Sequence, residues 1–227
     1  MPLARDMIGM YGAVASANHM PPWGGSERLL GTNPLAVAIP AATEPPVVLD
    51  MATTVVSFGT IKKYAVRGEP LPSGWVVGAE GEPVTDPRHA HSGALLPIGG
   101  YKGSGLAIVI GLLAGVLNQA AFGRDVVDFT TDVSTETNTG HFIAALDISL
   151  FTAIADFKAE VDRCSRELRA SPRLPGVDAI WLPGEQRHRR RAERVVNGVP
   201  LPSALKQQLD DVARELGLQP LERPTPA

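Results

Sequence analysis

Residues 47–61 read VVLDMATTVVSFGTI, and this stretch decides the fold that the sequence predicts. Three apolar residues end at Asp50, which is the pattern of a short buried strand. Thr53 or Thr54 then stands where a helix N-cap is expected, ahead of apolar residues at helical spacing. The stretch therefore predicts a strand that runs directly into the N-terminus of a helix.

Such a junction offers an anion several unpaired backbone N–H groups and about half a positive charge. The two threonine hydroxyls add donors, and the Asp50 carboxylate can accept a hydrogen bond from a ribose hydroxyl or orient a reacting group. An ordinary threonine cap beside a locally bonded aspartate produces the same pattern. From these residues alone, both interpretations stay open.

Short apolar runs on both sides of this stretch predict the rest of the sheet. Residues 7–15 (MIGMYGAVA) and 33–40 (NPLAVAIP) are bounded by turn-forming residues and predict strands, as does 141–146. Residues 106–121 predict a buried apolar helix. Residues 68–95 are rich in turn formers and predict an excursion with at most a short hairpin.

The last third of the chain is helical by pattern. From Ser149, the predicted N-cap, apolar residues recur every three or four positions, which predicts an amphipathic helix with Cys164 on its buried side. A basic helix is predicted at 185–196, and a last helix is predicted from Ser203 as its cap. We therefore expect a domain with the sheet and the apolar helix at 1–148, a helical portion at 149–217 and a disordered tail at 218–227.

The composition excludes several classes of protein. The 227 residues carry a formal charge of −3 and are 44% hydrophobic, so a sizeable core is expected and no global field attracts nucleic acid. The longest apolar run, 106–117, is shorter than the roughly 20 residues of a membrane span. Cys164 is the single cysteine, which excludes an internal disulfide and fits a reducing compartment. We expect a cytoplasmic protein with neither a nucleic-acid nor a membrane partner.

A second candidate site is the glycine-rich run GGYKGSG at 99–105. Its glycines allow the backbone to approach a ligand closely, and Lys102 supplies a cation for phosphate. The spacing matches neither a P-loop nor the G-x-G-x-x-G fingerprint of Rossmann folds. The run is equally typical of a loop that caps a buried helix.

Basic and histidine-rich segments give weaker indications. Residues 187–194 (RHRRRAER) hold five arginines, which predict a solvated helix face, with contact to a cofactor phosphate as the alternative. His89 and His91 lie one residue apart, but no carboxylate or thiolate partner accompanies them. No metal site is predicted.

Five blocks of sequence, in order, resemble one family. They are 20–40 (MPPWGGSERLLGTNPLAVAIP), 47–61, 93–115 (GALLPIGGYKGSGLAIVIGLLAG), 139–151 (TGHFIAALDISLF) and 180–202, which contains IWLPGEQRHRRR and NGVPLP. Together they are similar to the malate/L-lactate dehydrogenase family of the non-Rossmann kind. The similarity extends over about residues 7–217, so it is more specific than any single glycine loop.

The resemblance implies an α/β (α+β) fold in which a largely antiparallel sheet, wrapped by helices, binds NAD or NADP. It also implies a homodimer that transfers hydride between the nicotinamide and a small 2-hydroxy/2-oxo acid or cyclic imino acid. The resemblance places the cofactor contacts on Ser16, on Pro46, Val47, Val48, Leu49, Asp50, Met51 and Ala52, on Tyr101 and Lys102, and on Gly184, Glu185 and Gln186. Asp50 is also expected to help orient the catalytic groups.

In the family, the proton-donating histidine and the arginine that binds the substrate carboxylate belong to an N-terminal segment, for which this sequence shows no counterpart. The resemblance therefore implies that this chain is a truncated product or a remnant, or that it uses residues from a partner chain. We expect the polypeptide alone to bind NAD(P)H weakly and to reduce 2-oxo acids poorly. A non-catalytic nucleotide-binding or subunit-interaction protein is the alternative.

Overall fold

The computed structural model describes residues 1–221. Its strands are β1 (Met7–Ala13), β2 (Leu35–Ile39), β3 (Val47–Met51), β4 (Val76–Val77), β5 (Ala94–Leu95) and β6 (His141–Asp147). Its helices are α1 (Phe58–Arg67), α2 (Tyr101–Ala114), α3 (Ile154–Ala170), α4 (Glu185–Asn197) and α5 (Ser203–Glu215).

The main sheet is antiparallel throughout, with strand order β3-β2-β1-β6. This confirms the predicted fold class, and each of its strands coincides with an apolar run predicted as a strand. The short β4 and β5 pair separately within the turn-rich residues 68–95. Residues 78–93 separate the two strands, so they form a long-range pair rather than a short hairpin, which was the most that was expected there. The register pairs Gly12 with Leu35 and Leu35 with Met51. The C-terminal end of β1, the N-terminal end of β2 and the C-terminal end of β3 therefore lie at the same end of the sheet.

The predicted start of the first helix is wrong. Thr53 and Thr54 do not cap α1, which begins at Phe58 with the Ser57 side chain accepting a hydrogen bond from the Thr60 amide. Thr53 is fully buried, and its hydroxyl donates to the carbonyl of Thr32. These threonines are used to fix the chain after β3, so the helix cannot begin until the chain has passed them.

The apolar helix is shifted from its predicted span of 106–121. It begins at Tyr101, because Gly99 and Gly100 adopt positive φ angles and turn the chain into the helix, and it ends at Ala114 with Gly115 as its C-cap. A separate 3-10 turn follows at Val116–Asn118. The span Tyr101–Asn118 has the length and hydropathy of a membrane-crossing helix, properties it shares with the core helices of many globular proteins.

The buried side of α2 carries small residues at every position except Ile110. The buried positions are Gly103, Ser104, Ala107, Ile110, Gly111 and Ala114. The exposed large positions are Leu106, Val109, Leu112, Leu113, Val116 and Leu117, the last two in the turn that follows. Small residues let the helix lie close to β1 and β6, and a Cβ added to Gly111 would meet the ring of Phe122 at 2.1 Å.

The prediction for α3 is wrong in two respects. Ser149 does not cap it, because the Asp147 carboxylate binds the Ser149 amide and forms a separate 3-10 turn, and α3 begins at Ile154. The predicted apolar stripe is only half-buried, at Ile154, Phe157, Val161 and Cys164, and Leu168 is exposed. The fully buried side chains of α3 are the polar Asp162 and Ser165, while Cys164 is only half-buried.

The chain forms two compact units, Met1–Glu185 and a second that begins at Gln186. The division after residue 148 stays a prediction. In the second unit, α4 coincides with the predicted basic helix, and α5 begins at Ser203 with Pro202 rather than Ser203 as its N-cap. Of the tail predicted to be disordered, 218–221 form neither helix nor strand, and 222–227 lie outside the described residues.

Candidate functional site

The end of β3 and the start of α2 are joined by backbone hydrogen bonds. The amide of Ile98 donates to the carbonyl oxygen of Thr53 at 2.9 Å, and the amide of Val55 donates to Leu96 at 2.9 Å. The helix N-terminus that lies against the end of β3 is therefore that of α2, and not that of α1 as the sequence predicted. The structure brings the stretch after Leu49 and the glycine-rich run into one region.

Gly103 makes this junction possible. A Cβ at this position would lie 2.3 Å from the carbonyl oxygen of Ile98 and 2.8 Å from that of Thr53. Both neighbours are backbone atoms that cannot move aside cheaply. Only glycine therefore allows the first turn of α2 to lie directly on the chain that leaves β3.

A buried asparagine joins the other strands to the same region. Asn33 is fully buried just before β2, and its side-chain oxygen accepts from the amide of Ala15, two residues after β1. Its side-chain NH₂ donates to the carbonyl of Ala107 in α2 at 2.9 Å. Sequence reasoning treated this residue only as the start of a strand, because its partners lie 18 and 74 residues away in the sequence.

In the unit Met1–Glu185, the residues predicted to contact the cofactor lie in two groups around β3. Asp50 and Ala52 lie at its C-terminal end, and the exposed Tyr101 and Lys102 begin the helix whose preceding segment is hydrogen-bonded to Thr53 just after this end. Ser16 is half-buried and lies in the bend after β1, at the same end of the sheet. Pro46 directly precedes β3, and Val47, Val48, Leu49 and Met51 are half-buried within it.

The second group lies along the outer edge of β3. The amide of Val48 donates to the carbonyl of Pro183 at 3.0 Å. Gly184 has a φ of +91°, and a Cβ there would lie 2.9 Å from the carbonyl oxygen of Val48. The turn at 182–185 therefore packs on the strand that carries Asp50. Gln186, also predicted as a contact, is the first residue of the second unit and is described only with it.

The Glu185 carboxylate is engaged within the protein. One of its oxygens accepts from the amide of Leu182 at 2.9 Å, and the other lies 3.0 Å from Nε of Arg169. The same guanidinium pairs with Glu44, which precedes β3, and this hydrogen bond lowers the pKa of Glu44 below its ordinary value. Arg169 thus connects the segment that precedes β3 with the turn at 182–185 that packs on this strand.

Arg169 and Asp162 are two anchors by which α3 holds the segment before β3, and Asp162 is the second of them. Its carboxylate accepts hydrogen bonds from the amides of Ala42, Thr43 and Glu44 and from the Thr43 hydroxyl. The hydroxyl and the amides stabilise the charged form and lower the pKa of Asp162 to about 2. Sequence reasoning missed both anchors, although their spacing of seven places Asp162 and Arg169 on one helix face.

Two histidines, one from the loop after β1 and one from the turn-rich excursion, pack against the ring of Phe58. His19 stacks on Phe58 with 4.6 Å between ring centroids, and His91 meets the same ring edge-on at 5.1 Å. Burial lowers the pKa of His19, and the Asp128 carboxylate opposes this shift. Among residues 1–221, no group of three or more histidine, cysteine or acidic side chains is placed to hold a metal ion.

Comparisons with known proteins agree on one family. The sequence profile described as malate/L-lactate dehydrogenase matches residues 1–210. The chain is 33% identical to the malate dehydrogenase of Pyrococcus abyssi, over 94% of this chain and 61% of that protein. It is 34% identical to the ureidoglycolate dehydrogenase (NAD(+)) of Escherichia coli K12, over 83% of this chain and 53% of that protein.

A solved structure shows the same fold. The sulfolactate dehydrogenase of Methanocaldococcus jannaschii is similar with a TM-score of 0.80 and 31% identity, over 96% of this chain and 62% of that one. The chain thus spans about 60% of the length of the malate and sulfolactate dehydrogenases that it matches.

Proposed function

The chain belongs to the malate/L-lactate dehydrogenase family, and on this premise we propose that it binds a nicotinamide dinucleotide for hydride transfer to or from a small 2-hydroxy/2-oxo acid. A cyclic imino acid is an equivalent substrate for this chemistry. The observation that carries the proposal is the junction between Thr53 and Ile98, because it brings Asp50, Tyr101 and Lys102 to one end of the sheet.

The chemistry of these groups fits a dinucleotide. The Lys102 ammonium offers a cation to the diphosphate, and no side chain caps the start of α2, so the first amides of the helix can bind anionic oxygens. The exposed ring of Tyr101 offers a flat surface to a base or nicotinamide ring. The exposed Asp50 carboxylate can accept hydrogen bonds from ribose hydroxyls.

The nicotinamide ring supplies or accepts the hydride, and the role of this chain is to hold it in position. Backbone hydrogen bonds join the two segments that carry the contacts, so Asp50 and Lys102 are held on a rigid support rather than on free loops. Fixed geometry of this kind lowers the entropic part of a reaction barrier. Arg169 and Asp162 hold residues 42–44, which directly precede Pro45-Pro46 and β3.

We further propose that the protein is a cytoplasmic homodimer in which α2 and β6 face the second copy. Large apolar side chains of α2 are exposed, and the neighbouring edge strand β6 exposes Ile143 on one face of the sheet and Leu146 on the other. Exposed large apolar side chains on a helix and an adjacent edge strand are typical of a protein interface. A second copy is its expected occupant because one patch that pairs with itself closes a two-fold dimer.

Fluorescence titration of the 227-residue chain with NADH and NADPH tests the main proposal. Saturable binding of either cofactor supports it, and the ratio of the two dissociation constants assigns the cofactor. Absence of binding to both contradicts it. Turnover is then measured with 2-oxo acids, and binding without turnover supports the alternative of a non-catalytic nucleotide-binding protein.

A further inference from the structure

One face of α4 collects the arginines that the proposed dehydrogenase chemistry does not use. Arg187, Arg190, Arg191 and Arg194 follow one another at spacings that place them on the same side of the helix. With Val195 and Val199 they line a cleft of about 430 Å³. All of these residues belong to the second compact unit, so the cleft is a feature of that unit alone.

Among the residues that the structure describes, three of these arginines have no acidic partner. By contrast, both cations of residues 198–221 are paired, Lys206 with Asp210 at 2.6 Å and Arg214 with Asp211. Within the part of the chain that the structure describes, no carboxylate lies within ion-pair distance of Arg190, Arg191 or Arg194. Like charges on one helix face repel one another, so an anionic ligand would stabilise this arrangement.

We propose that this arginine face, formed by Arg190, Arg191 and Arg194 beside the cleft, binds an oligophosphate group. A guanidinium presents two parallel N–H donors to two phosphate oxygens and keeps its charge at any physiological pH. Several guanidiniums within one helical turn match the closely spaced charges of linked phosphates. The size of the cleft falls within the range of about 300–1,000 Å³ that is usual for small-molecule sites.

A nucleic acid fits this face less well. Residues 186–221 contain no phenylalanine, tyrosine or tryptophan on which a base could stack. The basic surface is a single helix face, too short to follow a duplex backbone. A compact ligand with two or three linked phosphates therefore agrees best with the observed charges.

The ligand is either an inorganic oligophosphate or the phosphate chain of a nucleotide, and the two sources share the same recognition. The aliphatic walls formed by Val195 and Val199 would contact the nucleoside of the second. Calorimetric titration of the full 227-residue chain with tripolyphosphate, with ATP and with orthophosphate distinguishes them. Equal affinity for the first two assigns the site to the phosphate chain alone, and tighter ATP binding assigns it to a nucleotide.

We expect tripolyphosphate to bind at least about tenfold more tightly than orthophosphate, and Arg190→Ala/Arg194→Ala to weaken it by about tenfold or more. Arg214→Ala removes an ion-paired arginine of the same unit and should leave the affinity within about twofold. Lys63→Ala, which removes an exposed lysine of the first unit, should also leave it unchanged. Circular dichroism confirms that each variant is folded.

Three results would overturn the proposal. They are the absence of tripolyphosphate binding, equal binding by the wild type and the double variant, and tighter binding of a short DNA duplex than of tripolyphosphate at the same salt concentration. The last result would assign the face to a nucleic acid. None of them bears on NADH binding, so the two proposals fail independently.

Discussion

The backbone amide of Ile98 donates a hydrogen bond of 2.9 Å to the carbonyl oxygen of Thr53. This bond connects a segment that follows β3 with the segment that begins α2. Both segments carry residues proposed to contact the cofactor. The geometry of the site therefore depends on how closely α2 can approach the end of the strand.

Replacing Gly103 by alanine should separate the two segments. The new Cβ would lie 2.3 Å from a backbone carbonyl, so Gly103→Ala should lower the free energy of unfolding by about 1–3 kcal/mol. Gly105→Ala is the matched control, since nothing lies within 4 Å of its added Cβ and alanine favours helix by about 0.5–1 kcal/mol. Urea unfolding of both variants measures the difference. Equal stabilities would show that the contact at Gly103 is not tight.

The strands were predictable because their apolar runs are short and are bounded by turn formers, as in 33–40 and 47–49. The start of α1 was not. Thr53 and Ser57 are both good caps, and the choice between them depends on Thr32, which lies far away in sequence and accepts from the hydroxyl of Thr53. Local patterns hold no information about such a partner.

The anchors on α3 were missed for a related reason. An amphipathic pattern predicts that the apolar side of a helix is buried, but α3 buries Asp162 because three amides of residues 42–44 converge on its carboxylate. The approach of the glycine-rich run at 99–105 to the end of β3 was anticipated through the resemblance of whole blocks. The backbone hydrogen bonds that hold it there are visible only in the structure.

Lys102→Ala should weaken the binding of NADH and NADPH by about tenfold each, equivalent to about 1.4 kcal/mol. The same loss is expected for both because the diphosphate that the ammonium would contact is common to both cofactors. Lys63→Ala, at an exposed position on α1, serves as control and should bind as the wild type does. Titration by nicotinamide fluorescence measures all three proteins. An unchanged affinity in Lys102→Ala would remove this residue from the site.

Because of Asp162, the free energy of unfolding should depend on pH under acidic conditions. Its pKa of about 2 in the folded state lies below the ordinary value of 3.8, so its stabilisation is complete above about pH 4 and is lost as the pH falls towards 2. Asp162→Asn should lower the urea midpoint at pH 7, and its difference from the wild type should shrink between pH 4 and pH 2. Glu167→Gln on the exposed side of α3 is the control. A difference that stays constant with pH would contradict the role of the charged carboxylate.

Arg169→Ala should loosen the segment that precedes β3 and the turn at 182–185, because it removes the common partner of Glu44 and Glu185. We expect a lower urea midpoint at pH 7 and weaker NADH binding. Because the pKa of Glu44 is held below its ordinary value, the loss of stability should decrease as the pH falls below that value and the Glu44 carboxylate becomes neutral. Arg163→Ala removes an exposed arginine from the same helix and should have a smaller effect on both measurements. Comparable effects of the two variants would argue against the bridging role.

The exposed apolar face of α2 leads to a prediction about assembly. Val109 is 53% exposed on this face, and a lysine there would place a charge in the proposed interface, where its desolvation has no compensation. Val109→Lys should therefore sediment as a monomer at concentrations at which the wild type is a dimer. Val66→Lys makes the same chemical change at an even more exposed valine of α1 and should leave the dimer intact. Dissociation by both variants would mean that added charge, rather than this face, controls assembly, and a monomeric wild type would exclude the dimer altogether.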